Sequence, residues 1–530
     1  MIEWIATKPT RFLILIASYF AIHVVVRTCV SPSLSFDESE QAFLSQWLQV
    51  GYNSQPPLYT WLQGLLYAAM GYNVLPVALL KNVFLFGTYA FVFRFARRAT
   101  SDPIAATIAA LGMLTMPQIA WESHRDLSHT VAAMFAVAWL LDVADQAANE
   151  RTWMNYLGIG LACSVGLMSK YNFALVIIAL LFAAISLPRY RAAILSPKLT
   201  LSLLVTTIAI GPHLVWMVHH PDIVSGKTLT QFAPESPLSW LDTATQGGVA
   251  LVTATLGCCV SGALAVTWCC YRPTEDRRRA ATTDAQNDGR QLDATRWLER
   301  FLGLVGLALV AMVAAGVTVN FKTHWLQPFL FLVPCYVVLK LKSVSPRHYR
   351  IDRLAARRMI AISGCCAVAV LTTTIIKPIS AGLRGDYSWL NVPYSDLSAT
   401  MQEQLGQPPA AIYSLTMRTA GNLRHQFPDV AIASRDHQHL VPNVPSSRQP
   451  LVAVIDSDDP AIRKTLEDWI RGQVHSSTEV DLRWEAISSC YLYGKNDHQK
   501  TLYVAVIPEA PPTTSVHKRA ALSQRDIQIR

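Results

Sequence analysis

Apolar stretches long enough to cross a bilayer recur from residue 12 to residue 378, and nothing else in the sequence limits the fold so tightly. A spanning helix needs about 20 mostly apolar residues, because every backbone polar group in hydrocarbon must be paired within the span. About eleven such stretches are legible, near 12–28, 74–93, 103–121, 127–144, 154–169, 172–187, 199–218, 243–271, 301–320, 326–341 and 359–378. Lys170 separates the short pair 154–169 and 172–187. The first stretch follows MIEWIATKPTR and precedes no small-residue cleavage site, so it reads as a retained helix. Charge content agrees: 15% of residues are charged, where a soluble domain carries about 25%.

Lysine and arginine set the orientation, since cytoplasmic loops collect them. With a cytoplasmic N-terminus, the inner loops hold Lys8 and Arg11; Arg94, Arg97 and Arg98; Arg151; Arg189, Arg191 and Lys198; Arg277, Arg278 and Arg279; and the basic stretch Lys340 to Arg358. An odd number of spans then puts 379–530 outside. Basic inner loops account for the net charge of +9 without nucleic acid as a partner.

Residues 1–378 thus form a membrane domain with two polar interruptions, an outer loop at 29–73 and a cytoplasmic connector at 272–300 that reads as flexible. In the outer loop Phe43, Trp47, Leu48 and Val50, then Leu58, Trp61, Leu62 and Leu65, fall at helical spacing and predict two short interfacial helices. Residues 379–510 have the composition of a soluble domain. Runs such as AAIYSL, VAIAS, LVAVIDS and TLYVAVIP alternate with helical candidates at 396–405 and 460–472, which predicts a small α/β fold. The polar tail 511–530 reads as disordered. The ten cysteines include adjacent pairs in apolar segments and lack zinc-ligand spacing, so they read as small hydrophobes; Cys29 and Cys490 would both face the oxidising side.

The stretch SFDESEQAFLSQWLQVGYNSQPPLYTWL (35–62) carries the chemistry. Three acids beside apolar helices have a purely structural account, with Asp37 as a helix cap and Glu38 and Glu40 at the positive end of the helix dipole. They also suit a carboxylate at the mouth of a membrane cavity, acting as a general base on a hydroxyl. Lys81 lies about two turns into an apolar helix, where an unpaired charge is costly and implies a partner. Its candidate partners are Glu38, Asp126 and a ligand phosphate, the last being favoured. Lys170 and Lys322 have snorkelling as the competing account.

The residues of 35–62 resemble the first outer loop of the family 39 polyprenol-phosphate-sugar-dependent glycosyltransferases, the C-type membrane enzymes that include protein O-mannosyltransferases and lipid A aminoarabinose transferases. The shared pattern is an Asp-Glu pair after the first span, then Gly-Tyr, Pro-Pro and Trp-Leu, here Asp37, Glu38, Gly51, Tyr52, Pro56, Pro57, Trp61 and Leu62. GLMSKYNFAL (166–175) and GPHLVWMVHHP (211–221) are similar to further family segments, KTHWLQPFLFLVP (322–334) is similar to a bacterial subgroup, and HRDLSH places Asp126 at that subgroup's second carboxylate. Gln55 departs from the pattern, standing where relatives carry an acidic residue or histidine.

The resemblance implies a GT-C-like α-helical polytopic membrane protein with a C-terminal extracytoplasmic domain, in a bacterial inner membrane. It implies an inverting glycosyltransferase in which Asp37, with Glu38 and Asp126, is catalytic, and Lys81, Lys170 and Lys322 bind the donor phosphate. Tyr52, Pro56, Pro57, Tyr59, Arg125, His324 and Trp325 would contact substrate, with Arg125 or Lys322 reading a sugar carboxylate. The donor would be a polyprenyl-phosphate hexose or uronic acid. The acceptor would be lipopolysaccharide core or lipid A, another envelope glycan, or a protein. The competing class is a transporter or flippase of lipid-linked sugar, which would place its charges near the bilayer centre. His124, His129, His213, His219, His220 and His324, with Glu122 and Asp126, have the donor types for a divalent metal. A single donor phosphate, neutralised by fixed cations, requires no cofactor.

Overall fold

The computed structural model describes residues 9–225, 239–272, 285–344, 348–440, 449–474 and 482–508. Each apolar stretch falls on a helix. Eight helices among the described residues are long and apolar enough to cross a membrane: Pro9–Val30, Val74–Thr100, Ser128–Asn149, Leu199–His219, Trp240–Cys270, Gly289–Ala314, Thr323–Val344 and Arg353–Ile379. Two more spans arise if each bent pair counts as one, Pro103–Thr115 with Gln118–Arg125 (74°) and Phe173–Ile185 with Pro188–Ile194 (120°). Trp153–Leu167 is a shorter apolar helix.

Local chemistry sets where these helices begin. Asn73, Asp102, Thr152, Ser239 and Asp352 each cap the helix that follows through a side-chain oxygen. Asp102 is followed by Pro103 at the first helical position, where a missing N–H costs nothing. Small residues then let the inner helices approach closely. Gly87 lies against the Phe135 ring, which a Cβ would meet at 2.5 Å, and Ala105, Ala106, Ala109, Ala132, Ala133 and Ala136 are all fully buried. The windows of Leu199–His219 and Arg353–Ile379 are only 11% buried, and they present residues such as Ile208, Val218 and Val368 as a lipid-facing surface.

Two expectations are corrected, the start of the first loop helix and the connector. The first loop helix is Phe36–Leu44, earlier than the spacing of Phe43, Trp47, Leu48 and Val50 predicts, because Ser35 and Glu38 form a capping box that starts it at the acidic run. The second is Leu58–Met70. The connector 272–300 is helical from Ala285, within Ala285–Ala314, while 273–284 lies outside the described residues. Its charges sit on one face, so that Trp297 and Leu298 on the other are buried, with Trp297 Nε1 donating to Leu180 O at 3.1 Å.

The chain divides into two compact units, Met1–Asn391 and Val392–Arg530. The boundary falls after the expected residue 378, since Asn391 Nδ2 donates to Pro378 O at 2.8 Å and Ser31 Oγ to Leu390 O at 2.6 Å. In the second unit, β1 (Ala411–Ser414), β2 (Ala431–Ser434), β3 (Leu451–Ile455), β4 (Glu485–Cys490) and β5 (Gln499–Ile507) form one sheet of order β2-β1-β3-β5-β4. β1 pairs in parallel with β2 and β3, and β5 antiparallel with β3 and β4. Helices Tyr394–Leu405 and Pro460–Val474 match the expected positions; Met417–Gln426 and β4 were not anticipated, β4 because EAISSC has no Val/Ile run. Residues 511–530 lie outside the described residues, and Cys29 and Cys490 are both free thiols.

Candidate active site

Five segments far apart in sequence meet in the first unit: helix Phe36–Leu44, the loop residues Asn53, Ser54 and Gln55, the turn 118–130, Lys170, and the start of helix Thr323–Leu330. They enclose a cavity of about 810 Å³. Backbone irregularity shapes one wall. Gln118–Glu122 is a turn of π-helix, and Gln327 Nε2 donates to the Gln118 carbonyl at 2.8 Å. Leu127 adopts φ 72°, the left-handed region that a branched side chain rarely occupies.

That kink sets Asp126 and Ser128 to face helix Phe36–Leu44. The backbone N–H of Asp37 donates to Asp126 Oδ1 at 2.9 Å, and the backbone N–H of Ser128 donates to Asp37 Oδ2 at 2.9 Å. Asp37 therefore does not cap its own helix, as the structural account supposed; Ser35 does, and Asp37 serves the N-terminus of Ser128–Asn149. Burial first, then the charge of Glu40, raises the Asp37 carboxyl above the usual range, opposed by Lys81 and the Ser128 and Leu127 N–H groups. Burial and the Asp37 charge push Asp126 up to about 7. Two such carboxyls titrate as a unit.

Glu38 is different. Only 2% exposed, it takes a bidentate pair from Arg27 (Nη2–Oε2 2.6 Å, Nε–Oε1 3.2 Å), the Ser35 N–H at 2.9 Å, and Lys81 Nζ at 3.8 Å. Burial opposes its ionisation, but the Arg27 and Lys81 cations outweigh burial and hold it down to about 2. Arg27 also donates to the Ser31 and Ser33 carbonyls at 2.8 Å each, so Glu38 anchors the loop to the first span.

The sequence-predicted residues divide accordingly. Asp37, Asp126, Arg125, Lys170, Lys322, His324 and Trp325 line the cavity; Glu38, Lys81, Tyr52, Pro56, Pro57 and Tyr59 do not. Lys81 is buried against Glu38 and the His124 carbonyl (3.5 Å). Tyr52 is a loop clamp, its hydroxyl donating to Trp47 O at 2.6 Å and accepting from Gln49 N at 3.0 Å. Beside it Gly51 is covered by the Trp216 ring, which a Cβ would meet at 2.3 Å, and His213 Nδ1 lies 2.8 Å from Val50 O. The Gly-Tyr segment and GPHLVWMVHHP are thus two halves of one contact. Asn53, Ser54 and Thr130 also line the cavity, and sequence reasoning missed them; Asn53 Nδ2 donates to Glu40 Oε1 at 3.0 Å, and its position directly after Gly-Tyr was the available signal.

The cations differ in their partners. Arg125 pairs with Glu122 at 2.9 Å, and Lys322 lies 5.9 Å from the centre of the Trp325 ring. Lys170 Nζ donates to Thr130 Oγ1 at 2.8 Å and to His324 O at 3.5 Å, and burial lowers its pKa to about 8, against the pull of Asp37. The histidines are dispersed: His23 stacks on His124 at 3.7 Å, His213 on Tyr171 at 5.9 Å, and His129 meets Gln41 at 3.2 Å. Among the described residues no group of three or more His, Cys, Asp or Glu could hold a metal ion.

Residues 54–216 match the family described as dolichyl-phosphate-mannose-protein mannosyltransferase. The lipopolysaccharide core galacturonosyltransferase RgtB of Rhizobium johnstonii is 31% identical over 486 residues, 91% of this chain and 94% of that protein. The chain belongs to the family 39 C-type membrane glycosyltransferases. A second such enzyme of the same organism, RgtA, is 30% identical over 82% of this chain and 83% of its own length. The transferase shares its fold with ArnT from Cupriavidus metallidurans, whose crystal structure bound to undecaprenyl phosphate superposes with a TM-score of 0.58 at 14% identity, covering 96% of this chain and 100% of that one. The apo ArnT structure gives 0.55 at 12% identity, with 95% and 100% covered. The transferase is therefore an enzyme, and a cavity walled partly by a loop helix gathers its acids and cations.

Proposed function

We propose that the transferase moves a uronic acid, galacturonic acid first among candidates, from a polyprenyl-phosphate donor to the core sugars of lipopolysaccharide on the periplasmic side of the inner membrane. The observation that carries this reading is that both lipopolysaccharide core galacturonosyltransferases align with more than four-fifths of the chain. ArnT, solved with undecaprenyl phosphate, supports a lipid monophosphate as the leaving group.

Asp37 is the base. It takes the proton of an acceptor hydroxyl as that oxygen attacks the anomeric carbon, the bond from that carbon to the phosphate oxygen breaks, and the lipid phosphate leaves with inversion. Asp126 holds the Asp37 backbone at 2.9 Å and so positions its carboxyl. Lys81 supplies positive charge for the departing phosphate, with Lys322 adding charge at the cavity wall. Arg27, bidentate on Glu38, keeps that carboxylate satisfied when Lys81 turns to the phosphate.

Mass spectrometry of envelope glycolipids from cells with and without the gene tests the reading. Loss of a uronic acid from the core oligosaccharide is the expected result. An unchanged core beside altered protein glycans or another polymer would overturn the assigned acceptor.

A further inference from the structure

We infer that Lys170 recognises the carboxylate of the transferred sugar and so determines donor specificity, an inference that rests on the reading of a polyprenyl-phosphate uronic acid as donor. Lys170 was expected beside the phosphate, and Arg125 or Lys322 at the sugar carboxylate. The ion pairs argue for a different allocation. Lys81 already faces Glu38 at 3.8 Å, and Arg125 is neutralised by Glu122 at 2.9 Å. Lys322 is exposed, so water satisfies its charge. Lys170 alone among these stands half-buried in the cavity wall, with no ion pair among the described residues and only two neutral acceptors, Thr130 Oγ1 and the His324 carbonyl. An ammonium has three N–H donors, and one kept partly out of water with no carboxylate in direct contact is costly. A ligand anion removes that cost.

Two anions arrive with a uronic acid donor, and position separates them. Thr130, which holds Lys170, lies two residues beyond Ser128, whose N–H holds Asp37. Lys170 therefore shares a wall with the base. Lys81 also acts on Asp37 but sits toward a different surface: its neighbour His124 contacts the ring of Tyr19 (6.0 Å between centroids), and Tyr19 lines an apolar groove with Leu15, Leu114, Val368 and Thr372. That groove offers apolar surface for a prenyl chain on the Lys81 side, which brings the attached phosphate toward Lys81 and leaves the Lys170 wall to the sugar. A uronic acid differs from the neutral hexose by a carboxylate in place of a hydroxymethyl group. An N–H donor aimed at that carboxylate makes a charge-assisted bond that the hydroxymethyl group cannot reproduce.

The test uses the full-length protein in membranes with two donors, polyprenyl-phosphate galacturonic acid and polyprenyl-phosphate galactose. Wild type should prefer the first. Lys170→Met should lower kcat/KM for the uronic acid roughly 10- to 100-fold while changing the galactose rate less than about threefold, and Lys170→Arg should keep part of the preference. Binding of undecaprenyl phosphate, which carries no sugar, should be the same in Lys170→Met as in wild type. Equal loss with both donors, or weakened binding of the bare lipid phosphate, assigns Lys170 to the phosphate or to folding and overturns the inference alone. A wild type that prefers galactose overturns the uronic acid reading and this inference with it.

Discussion

Asp37 and Asp126 each hold the start of the other's helix: Asp126 Oδ1 accepts the Asp37 backbone N–H at 2.9 Å, and Asp37 Oδ2 accepts the N–H of Ser128, at the head of the helix that follows Asp126, at 2.9 Å. The exchange keeps two carboxyls together in a partly closed cavity, where burial and mutual repulsion favour a shared proton.

Asp37→Asn should lower kcat by about 10²- to 10⁴-fold, the usual contribution of a positioned base. The amide oxygen still accepts from Ser128, so the fold and the binding of undecaprenyl phosphate should persist. Turnover equal to wild type in membranes supplied with labelled donor would remove Asp37 from the base role.

The acid limb of the rate against pH should lie above the ordinary carboxylate range. Asp37 works only when ionised, and burial with the Glu40 charge raises its carboxyl, so kcat/KM should rise with pH above the range of an ordinary aspartate. Asp126→Asn removes the carboxyl that titrates together with Asp37 and should shift the limb; a limb that stays in place would uncouple the two. Stability has the opposite slope. A carboxyl that holds its proton more tightly folded than unfolded favours the fold at low pH, and that contribution fades as pH rises from 3.8 through about 7.

Glu38→Gln should harm stability more than chemistry. Held near 2, Glu38 stays ionised at working pH, and its stabilising effect is lost only as pH falls from 4.5 through about 2. Replacing it leaves Arg27 and Lys81 partly buried without their anion, a loss of about 3–5 kcal/mol. Thermal unfolding in detergent should show this, and the acid limb of activity should remain. An unchanged melting temperature would contradict the anchor role.

Lys81→Ala should weaken undecaprenyl phosphate binding roughly tenfold or more and lower the melting temperature less than Glu38→Gln does. Glu38 keeps its tighter partner, Arg27 at 2.6 Å, when Lys81 is gone. Isothermal titration or a native mass measurement of lipid binding decides it, and unchanged affinity would free Lys81 from the phosphate.

Much of the fold was legible because its strongest constraint is local. A span declares itself within about 20 residues, since the bilayer demands apolar side chains and internally paired backbone whatever the rest of the chain does. Val/Ile runs likewise announced β1, β2, β3 and β5, whereas β4, with its short polar residues, gave no such signal. The acidic run at 36–44 was legible as chemistry, but the spacing of its aromatics misplaced the helix because a capping box overrode it.

Sequence alone determined the membrane helices, the acidic loop after the first span and a set of candidate site residues, all properties of short contiguous stretches. Tertiary structure decided which of them meet. It turned Glu38, Tyr52 and the Pro pair inward as scaffold and paired Lys81 with Glu38. It also set Asp37 against a turn 89 residues away and Lys170 beside a carbonyl 154 residues away. Charge pairing and burial depend on distances of a few ångströms between helices, and those distances exist only once the helices have packed.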